Sequence, residues 1–450
     1  MKEEINVSYI TFLAGTAALG GLLFGFDIAI IAGAGPFLAQ HFQLNDLKLG
    51  WAFSSLLFGC VLGSAVAGRL ADRYGRRKVL LVVAALFAIT SIGTGLASSF
   101  TNFVIARLLG GLAVGAVSLV SPMYISEVAP PSFRGRLGAC YQLSIVTGAV
   151  TSYFINYLLR NIGPHNWRWM FISGALPSAV FFALLLLAPE TPRYLIMAGE
   201  RERGFNVLRR IAGPEKAEFE VSEIMSSLTS KRGSWAELMR PGLRRAVWVS
   251  FALAILVQVS GINTVIDYAP VIFRSAGSGL DAALFSTFVL GMSNFVFTLV
   301  SLWFIDRHGR KPLYIVGSLG MTIALLLLAA AVVVGHFKGI VVLALILTYL
   351  AFFESCIGPV FWTVVPEIFP NNIRGTAMTV PVLTQWVANA LVVLFFPAAF
   401  NSFGKASVFG FLAVMSLLQA ICAWRLLPET KNKSLEEIEK LWRPAATTDA

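Results

Sequence analysis

Apolar residues do not alternate with polar ones along this chain, nor do they repeat on one helical face. They fill whole stretches, near residues 9–34, 50–71, 79–98, 102–122, 137–159, 168–188, 246–273, 282–305, 313–335, 339–363, 376–400 and 406–427. Each is close to the ~20 residues that an α-helix needs to cross the hydrocarbon of a bilayer. Several contain Gly or Pro, which membrane helices accept because neighbouring helices re-satisfy the freed backbone groups. The pattern predicts an all-α membrane protein with twelve transmembrane helices. The first apolar stretch is too long for a cleavable leader and has no basic segment before it, so it is read as a retained helix. Residues 190–245 break the pattern: they are rich in charge and interrupted by Gly213-Pro214. Arg201 to Arg210 and Ala217 to Leu228 are expected to form short amphipathic helices there. A polar tail follows Pro428, where Ser434 ahead of Glu436-Glu437 suggests the cap of a short helix.

The stretches fall into two equivalent sets. Asp72-Arg73-Tyr74-Gly75-Arg76-Arg77 returns 234 positions later as Asp306-Arg307-His308-Gly309-Arg310-Lys311. Glu127 with Arg134-Gly135 returns 240 later as Glu367 with Arg374-Gly375, and Pro189-Glu190-Thr191 returns 239 later as Pro428-Glu429-Thr430. A near-constant offset spanning six helices means that both halves have the same orientation, a parallel duplication. The expected organisation is two pseudo-symmetric six-helix bundles, 1–189 and 246–428, a cytoplasmic linker over 190–245 and a cytoplasmic tail over 429–450.

Composition agrees with a lipid solvent: 57% of the 450 residues are hydrophobic and 13% charged, against about a quarter charged in soluble domains. The net charge of +11 would raise nucleic acid in a soluble protein. Here the Lys and Arg residues concentrate on the segments that a cytoplasmic N-terminus would leave inside, so the excess is a topology signal. It excludes nucleic acid as the expected partner and places both termini in the cytoplasm. Cys60, Cys140, Cys356 and Cys422 lie in or beside apolar stretches without metal-ligand spacing, and are expected to be small core residues. The four histidines fall in loops or helix ends, and no nucleophile–base pairing or phosphate-cradling motif is found. An enzyme is therefore not expected, nor a cofactor or metal.

The repeated charged motifs carry more than topology. A positive-inside signal explains Arg and Lys, but not an Asp and glycines that recur in both halves. Glu127 with Arg134, and Glu367 with Arg374, place opposite charges at matching depths. Single surface pairs contribute about 0–1 kcal/mol. Several exchanging partners can bias an equilibrium between states that is itself only a few kcal/mol deep. The expected cytoplasmic gating network comprises Asp72, Arg73, Arg76, Glu127, Arg134, Glu190, Asp306, Arg310, Glu367 and Arg374.

Together these motifs resemble the sugar porter family of the major facilitator superfamily. The residues that carry the resemblance are GGLLFGFD from Gly20, GRLADRYGRRK from Gly68, PMYISEVAPPSFRGRL from Pro122 and PETPRYL from Pro189. SGIN from Ser260, DRHGRKP from Asp306, GPVFWTVVPEIFPNNIRG from Gly358 and PETKNKSLEEI from Pro428 complete it. The resemblance implies alternating-access transport of a monosaccharide, hexose or pentose, with a proton, by a monomer in the bacterial inner membrane. Facilitative uniport, a polyol substrate and a transporter-like sugar sensor are the alternatives. It also implies a sugar site midway between the halves, at Gln142, Gln258, Asn263, Asn294, Trp362, Gln385 and Asn389. Amides offer donors and acceptors in a fixed plane, and Trp offers a stacking face with one N–H. Sugar porters commonly carry Gln-Gln where this chain has Val257-Gln258, so one hydrogen-bonding group is missing, worth about 0.5–1.5 kcal/mol. Glu354 matches a carboxylate of glucose facilitators, where it belongs to the intracellular gating region.

Ionisable residues inside apolar helices are functional by default. Asp27 falls about 13 Å and Arg107 about 10 Å below the outer boundary at 1.5 Å per residue, so the two can pair. In proton-coupled sugar porters an Asp and an Arg at these positions form the coupling pair. Asp267 lies 240 positions after Asp27, and the counterpart of Arg107 would be apolar, near Leu347. With Tyr268, Asp267 could line a wet outer gate. Binding a sugar hydroxyl and carrying a second proton remain open alongside.

Overall fold

The computed structural model describes residues 5–229, 235–239, 241–369 and 373–429. The side chains of Arg134, Asp306 and Arg374 lie outside the described residues, as do Thr430 and the tail beyond it. Among the described residues there is no strand. Twelve long helices follow in order: α1 (Val7–His41), α2 (Asp46–Tyr74), α3 (Arg76–Gly95), α4 (Phe100–Val128), α5 (Pro131–Leu159) and α6 (Asn166–Leu187). The second set is α7 (Pro241–Val259, continued by Ile262–Asp267 and Ala269–Ser275), α8 (Leu280–His308), α9 (Arg310–Val333), α10 (Gly339–Glu367), α11 (Arg374–Ser402) and α12 (Lys405–Leu426). Eleven of them are long and apolar enough to cross a membrane, and α5 is the twelfth, 29 residues long. Large apolar side chains such as Val82, Leu176 and Ile340 stand more than two-thirds exposed. On a membrane helix that surface meets lipid.

The chain divides into two compact units. One is Met1–Gln43 with Ser55–Lys231, the other Leu44–Ser54 with Arg232–Ala450. In the first, α1 packs along α5 and α4, and α3 along α4 and α6. In the second, α9 packs along α12, and α7 along α11. Without a hydrophobic drive between helices in lipid, close packing depends on small residues. A Cβ on Gly25 of α1 would fall 1.8 Å from the Ile145 carbonyl of α5, and one on Gly111 of α4 would fall 2.0 Å from the Leu56 carbonyl of α2. Larger residues there would force the helix pairs apart.

The linker begins with helices at Pro192–Met197, Arg201–Ala212 and Pro214–Thr229, and a short turn of helix follows at Trp235–Leu238. Its apolar face is a small core of Ile196, Leu208, Ala217 and Val221, with Phe205 and Ile224 alongside. The linker is pinned to the start of α1. The Asn6 amide donates to the Ile211 carbonyl at 2.9 Å, and the Arg210 guanidinium lies 4.5 Å from the centre of the Tyr9 ring. Cys60 and Cys356 are buried and Cys422 partly so, while Cys140 is exposed on α5. That last thiol corrects the expectation of four core cysteines, because the apolar stretch around it has one face outside the bundle interior.

Candidate transport site

At one end of the first unit, the chain leaves α2 and reverses at Gly75 (φ 100°, ψ 154°), a conformation open to glycine alone. The reversal aims the free N–H groups of α3 at Glu190. Its carboxylate accepts from Arg76 N at 3.0 Å, from Arg77 N at 3.1 Å and from Thr191 N at 2.9 Å. A negative group at a helix N-terminus satisfies orphan donors and meets the positive end of the dipole. The second unit repeats the device. Gly309 has φ 83° and ψ 158°, and Glu429 accepts from Arg310 N at 3.0 Å and Lys311 N at 3.1 Å. Glu429 was legible as the repeat partner of Glu190, since the Pro-Glu-Thr triplet recurs.

Beside these caps Glu127 and Glu367 meet Arg76 and Arg310, while Arg134 and Arg374, the partners expected for them, have side chains outside the described residues. The buried Arg76 guanidinium contacts Asp72 at 2.9 Å and Glu127 at 3.0 Å, and Arg310 contacts Glu367 at 3.4 Å. The Arg73 guanidinium lies over the Tyr74 ring at 5.3 Å, and its carbonyl accepts from the Tyr194 hydroxyl at 3.2 Å. Arg77 donates to the Leu185 and Leu186 carbonyls at 2.8 Å, closing the end of α6. Glu354 is not with this group. It lies on α10 thirteen residues before Glu367, roughly 20 Å along the axis.

Deep in the first unit, α1 and α4 bring together Asp27 and Arg107, 9% and 2% exposed. Arg107 Nη1 donates to Asp27 Oδ1 at 2.5 Å and Nη2 to the Asp27 carbonyl at 3.1 Å. The guanidinium also lies 5.3 Å from the Phe171 ring centre, while its Nε is buried without a partner. Gly110 of α4 faces the pair: a Cβ there would stand in contact with Asp27 Oδ2, at 3.4 Å, and Thr90 Oγ1, at 3.3 Å. Gln142, on α5 of the same unit, is exposed.

The remaining amides belong to the second unit. α7 is interrupted at Gly261, which is left-handed (φ 93°, ψ 13°), and again at Tyr268. Across the first break the Asn263 amide donates to Gln258 Oε1 at 2.8 Å. The Tyr349 hydroxyl of α10 donates to the Ser260 carbonyl at 3.0 Å, which ties α10 to that break. One turn on, α10 widens into a π-helix over Phe353–Ile357, a distortion frequent at functional sites. It carries Glu354, whose carboxylate hydrogen-bonds the Asn294 side chain of α8. Asn294 Oδ1 in turn accepts from Thr298 at 3.3 Å, which fixes which end of the amide faces the carboxylate. Trp362 is 49% exposed and meets Phe361 edge-on. On α11, Gln385 is half-buried and Asn389 buried.

Asp267 is buried at the second break of α7. The Tyr268 ring lies between Phe53, at 4.2 Å, and Phe396, at 5.1 Å, and its hydroxyl donates to the Val393 carbonyl at 3.0 Å. Thr298 and Tyr349 were missed in the sequence. A hydroxyl within a membrane helix has no signature that separates a network member from one bonded to its own turn.

Two duplicated six-helix units, capped alike and carrying an ion pair and amides inside apolar helices, define a polytopic membrane transporter of the major facilitator fold. The chain is a transporter and not an enzyme. The family model described as "Sugar (and other) transporter" matches residues 13–442, and the chain belongs to that family. It is 39% identical over 444 residues to an arabinose-proton symporter of Bacillus subtilis, covering 97% of this chain and 96% of that one. It is 37% identical over 483 residues to a D-xylose-proton symporter of Escherichia coli, covering 99% and 98%. Among solved structures it is similar to the inward-open xylose transporter XylE from E. coli, with a TM-score of 0.86 and 35% identity, covering 96% of this chain and all of that one.

Proposed function

We propose that this chain moves a monosaccharide across the bacterial inner membrane together with a proton, by alternating access, with both termini in the cytoplasm. The observation that carries the reading is the buried Asp27–Arg107 pair. Membrane carboxylates are expensive and are kept for ion or proton pathways. Held by Arg107, Asp27 is stable as the anion; an unpaired carboxylate in an apolar surround takes up a proton instead. A change of state that parts the two therefore loads or releases one proton.

Sugar hydroxyls are assigned to Gln142, Gln258, Asn263, Asn294, Gln385 and Asn389, and a sugar face to Trp362. The bond between Asn263 and Gln258 leaves one amide N–H of Asn263 and the Gln258 NH2 for a ligand. Glu354 is assigned a place beside Asn294 in this set rather than in the cytoplasmic network. Asp72, Arg76, Glu127 and Glu190, with Arg310 and Glu367, are assigned to the network that holds the cytoplasmic side. Asp267 and Tyr268 are assigned to the outer gate.

The test is uptake into proteoliposomes of D-xylose, L-arabinose, D-glucose and a polyol. One of the sugars is expected to accumulate against its gradient when the outside is acid, and to equilibrate without a pH gradient. Counterflow that continues while the pH gradient drives no accumulation would establish uniport instead.

A further inference from the structure

Glu354 is a carboxylate inside an apolar helix that neither the ion pair of the first unit nor the helix caps account for. It stands half-buried on the π turn of α10. Among the described residues no Lys, Arg or His contacts it, and its hydrogen-bond partner is the Asn294 amide. The Thr298 hydroxyl holds Asn294 Oδ1 at 3.3 Å, so the Asn294 NH2 turns to Glu354. One carboxylate oxygen is thereby met by a donor, and the other is left over. The elements packed against the π turn are α8 and α9. α8 brings Asn294, and α9 brings Gly317, where a Cβ would fall 2.6 Å from the Cys356 side chain. The titratable groups beside Glu354 are on α10 itself: Tyr349, whose hydroxyl is engaged with Ser260, and the buried Cys356. None supplies a positive charge.

The carboxylate stands among amides assigned to sugar. Tyr349, one turn before it, holds the Ser260 carbonyl between Gln258 and Asn263. A Cβ on Gly358 would stand 3.6 Å from Glu354 Oε2, and Gly358 shares its helix face with Trp362, one turn on. A carboxylate with no counter-charge in an apolar span is stable as the neutral acid. A carboxylic acid has one O–H donor and keeps acceptor capacity. We propose that Glu354 works as a neutral acid, protonated throughout the transport cycle, that accepts from Asn294 and donates its O–H to a sugar hydroxyl. The proposal rests on the assignment of Asn294 to the sugar site. Because this proton is resident, it takes no part in coupling, which stays with Asp27. Ionised, the group would lose its hydration when sugar covers it, with no cation to offset the cost. Sugar binding is therefore full in acid and weakens as rising pH removes the proton. By linkage, sugar added at alkaline pH draws the proton back.

The test is KM for counterflow in proteoliposomes, at equal pH on both sides, with whichever of D-xylose, L-arabinose and D-glucose is carried. From neutral to alkaline pH, KM is expected to rise by about tenfold or more. Asp27→Asn should keep that rise. Glu354→Gln, whose amide accepts and donates as the acid does, should show a KM that does not change with pH. A KM constant with pH in the unaltered protein overturns the proposal, as does a rise that survives in Glu354→Gln. A merely structural tie between α8 and α10 would leave the pH profile in place. A second measurement needs no change at Glu354: sugar added to weakly buffered Asp27→Asn protein in detergent at alkaline pH should take up protons, and no uptake overturns the proposal. Uphill accumulation by Asp27→Asn would instead bear on the coupling pair alone, so the two readings fail separately.

Discussion

Glu190 and Glu429 hold the same position in the two halves of the chain, each accepting from the first N–H groups of the third helix of its half. Asp27 and Asp267 are also repeat partners, yet their surroundings differ. Asp27 is held by a buried guanidinium within an unbroken helix. Asp267 ends a short segment of a helix that breaks beside it, next to a Tyr packed between two Phe rings. The caps were kept because a reversed chain entering a helix needs an acceptor for its orphan donors, whatever is carried. The middles diverged because nothing structural ties them together. The first unit concentrates charge, while the second collects amides around breaks in α7 and a π turn in α10.

The strongest way to break this contrast is Asp27→Asn. Uphill accumulation is expected to disappear, with the inside-to-outside sugar ratio falling to about one, while sugar counterflow persists because no proton need move in exchange. A mutant that still concentrates sugar would remove the first unit from proton carriage. Arg107→Leu should act on stability as well. It leaves a buried carboxylate uncompensated, a loss of about 3–5 kcal/mol, visible as a lower unfolding temperature in detergent. Adding Asp27→Asn should restore much of it, since the orphaned charge is then gone.

The second unit should respond differently. Asn263→Ala removes the donor to Gln258 and one proposed sugar contact, a loss of about 1–2 kcal/mol. KM should rise by roughly tenfold, with the dependence of accumulation on the pH gradient retained. A loss of coupling without a change in KM would merge the two roles. The smallest effects belong to the caps. Glu190→Gln and Glu429→Gln should each cost about 1 kcal/mol, seen as similar small drops in unfolding temperature. Markedly unequal drops would deny the equivalence of the two ends.

Much of this was legible in the chain. Twelve apolar runs announced the helices, and the recurring Asp-Arg-x-Gly-Arg and Pro-Glu-Thr motifs announced two like-oriented halves. Spacing along α1 and α4 put Asp27 and Arg107 at matching depths, and in the fold they touch. Helix ends were less legible: α1 continues through Pro36 to His41, because a proline in a packed membrane helix interrupts a hydrogen bond without ending the helix. Family likeness grouped Glu354 with the cytoplasmic charges, whereas it stands beside Asn294. The π turn that directs it is a local backbone choice with no periodicity to reveal it.

Hydrophobicity and repetition are properties of composition and order, so the sequence by itself determined the solvent, the number of helices and their duplication. It also determined the need for glycine where the chain reverses at Gly75 and Gly309, since the backbone angles there exclude a Cβ. Which polar atoms meet was decided only by tertiary structure. Arg76 reaches Glu127 through Oε1 alone, Asn263 turns to Gln258, and Glu354 faces Asn294 because side chains distant in sequence compete for a few donors in a water-poor interior. There a hydrogen bond is settled by tenths of an ångström in how helices pack.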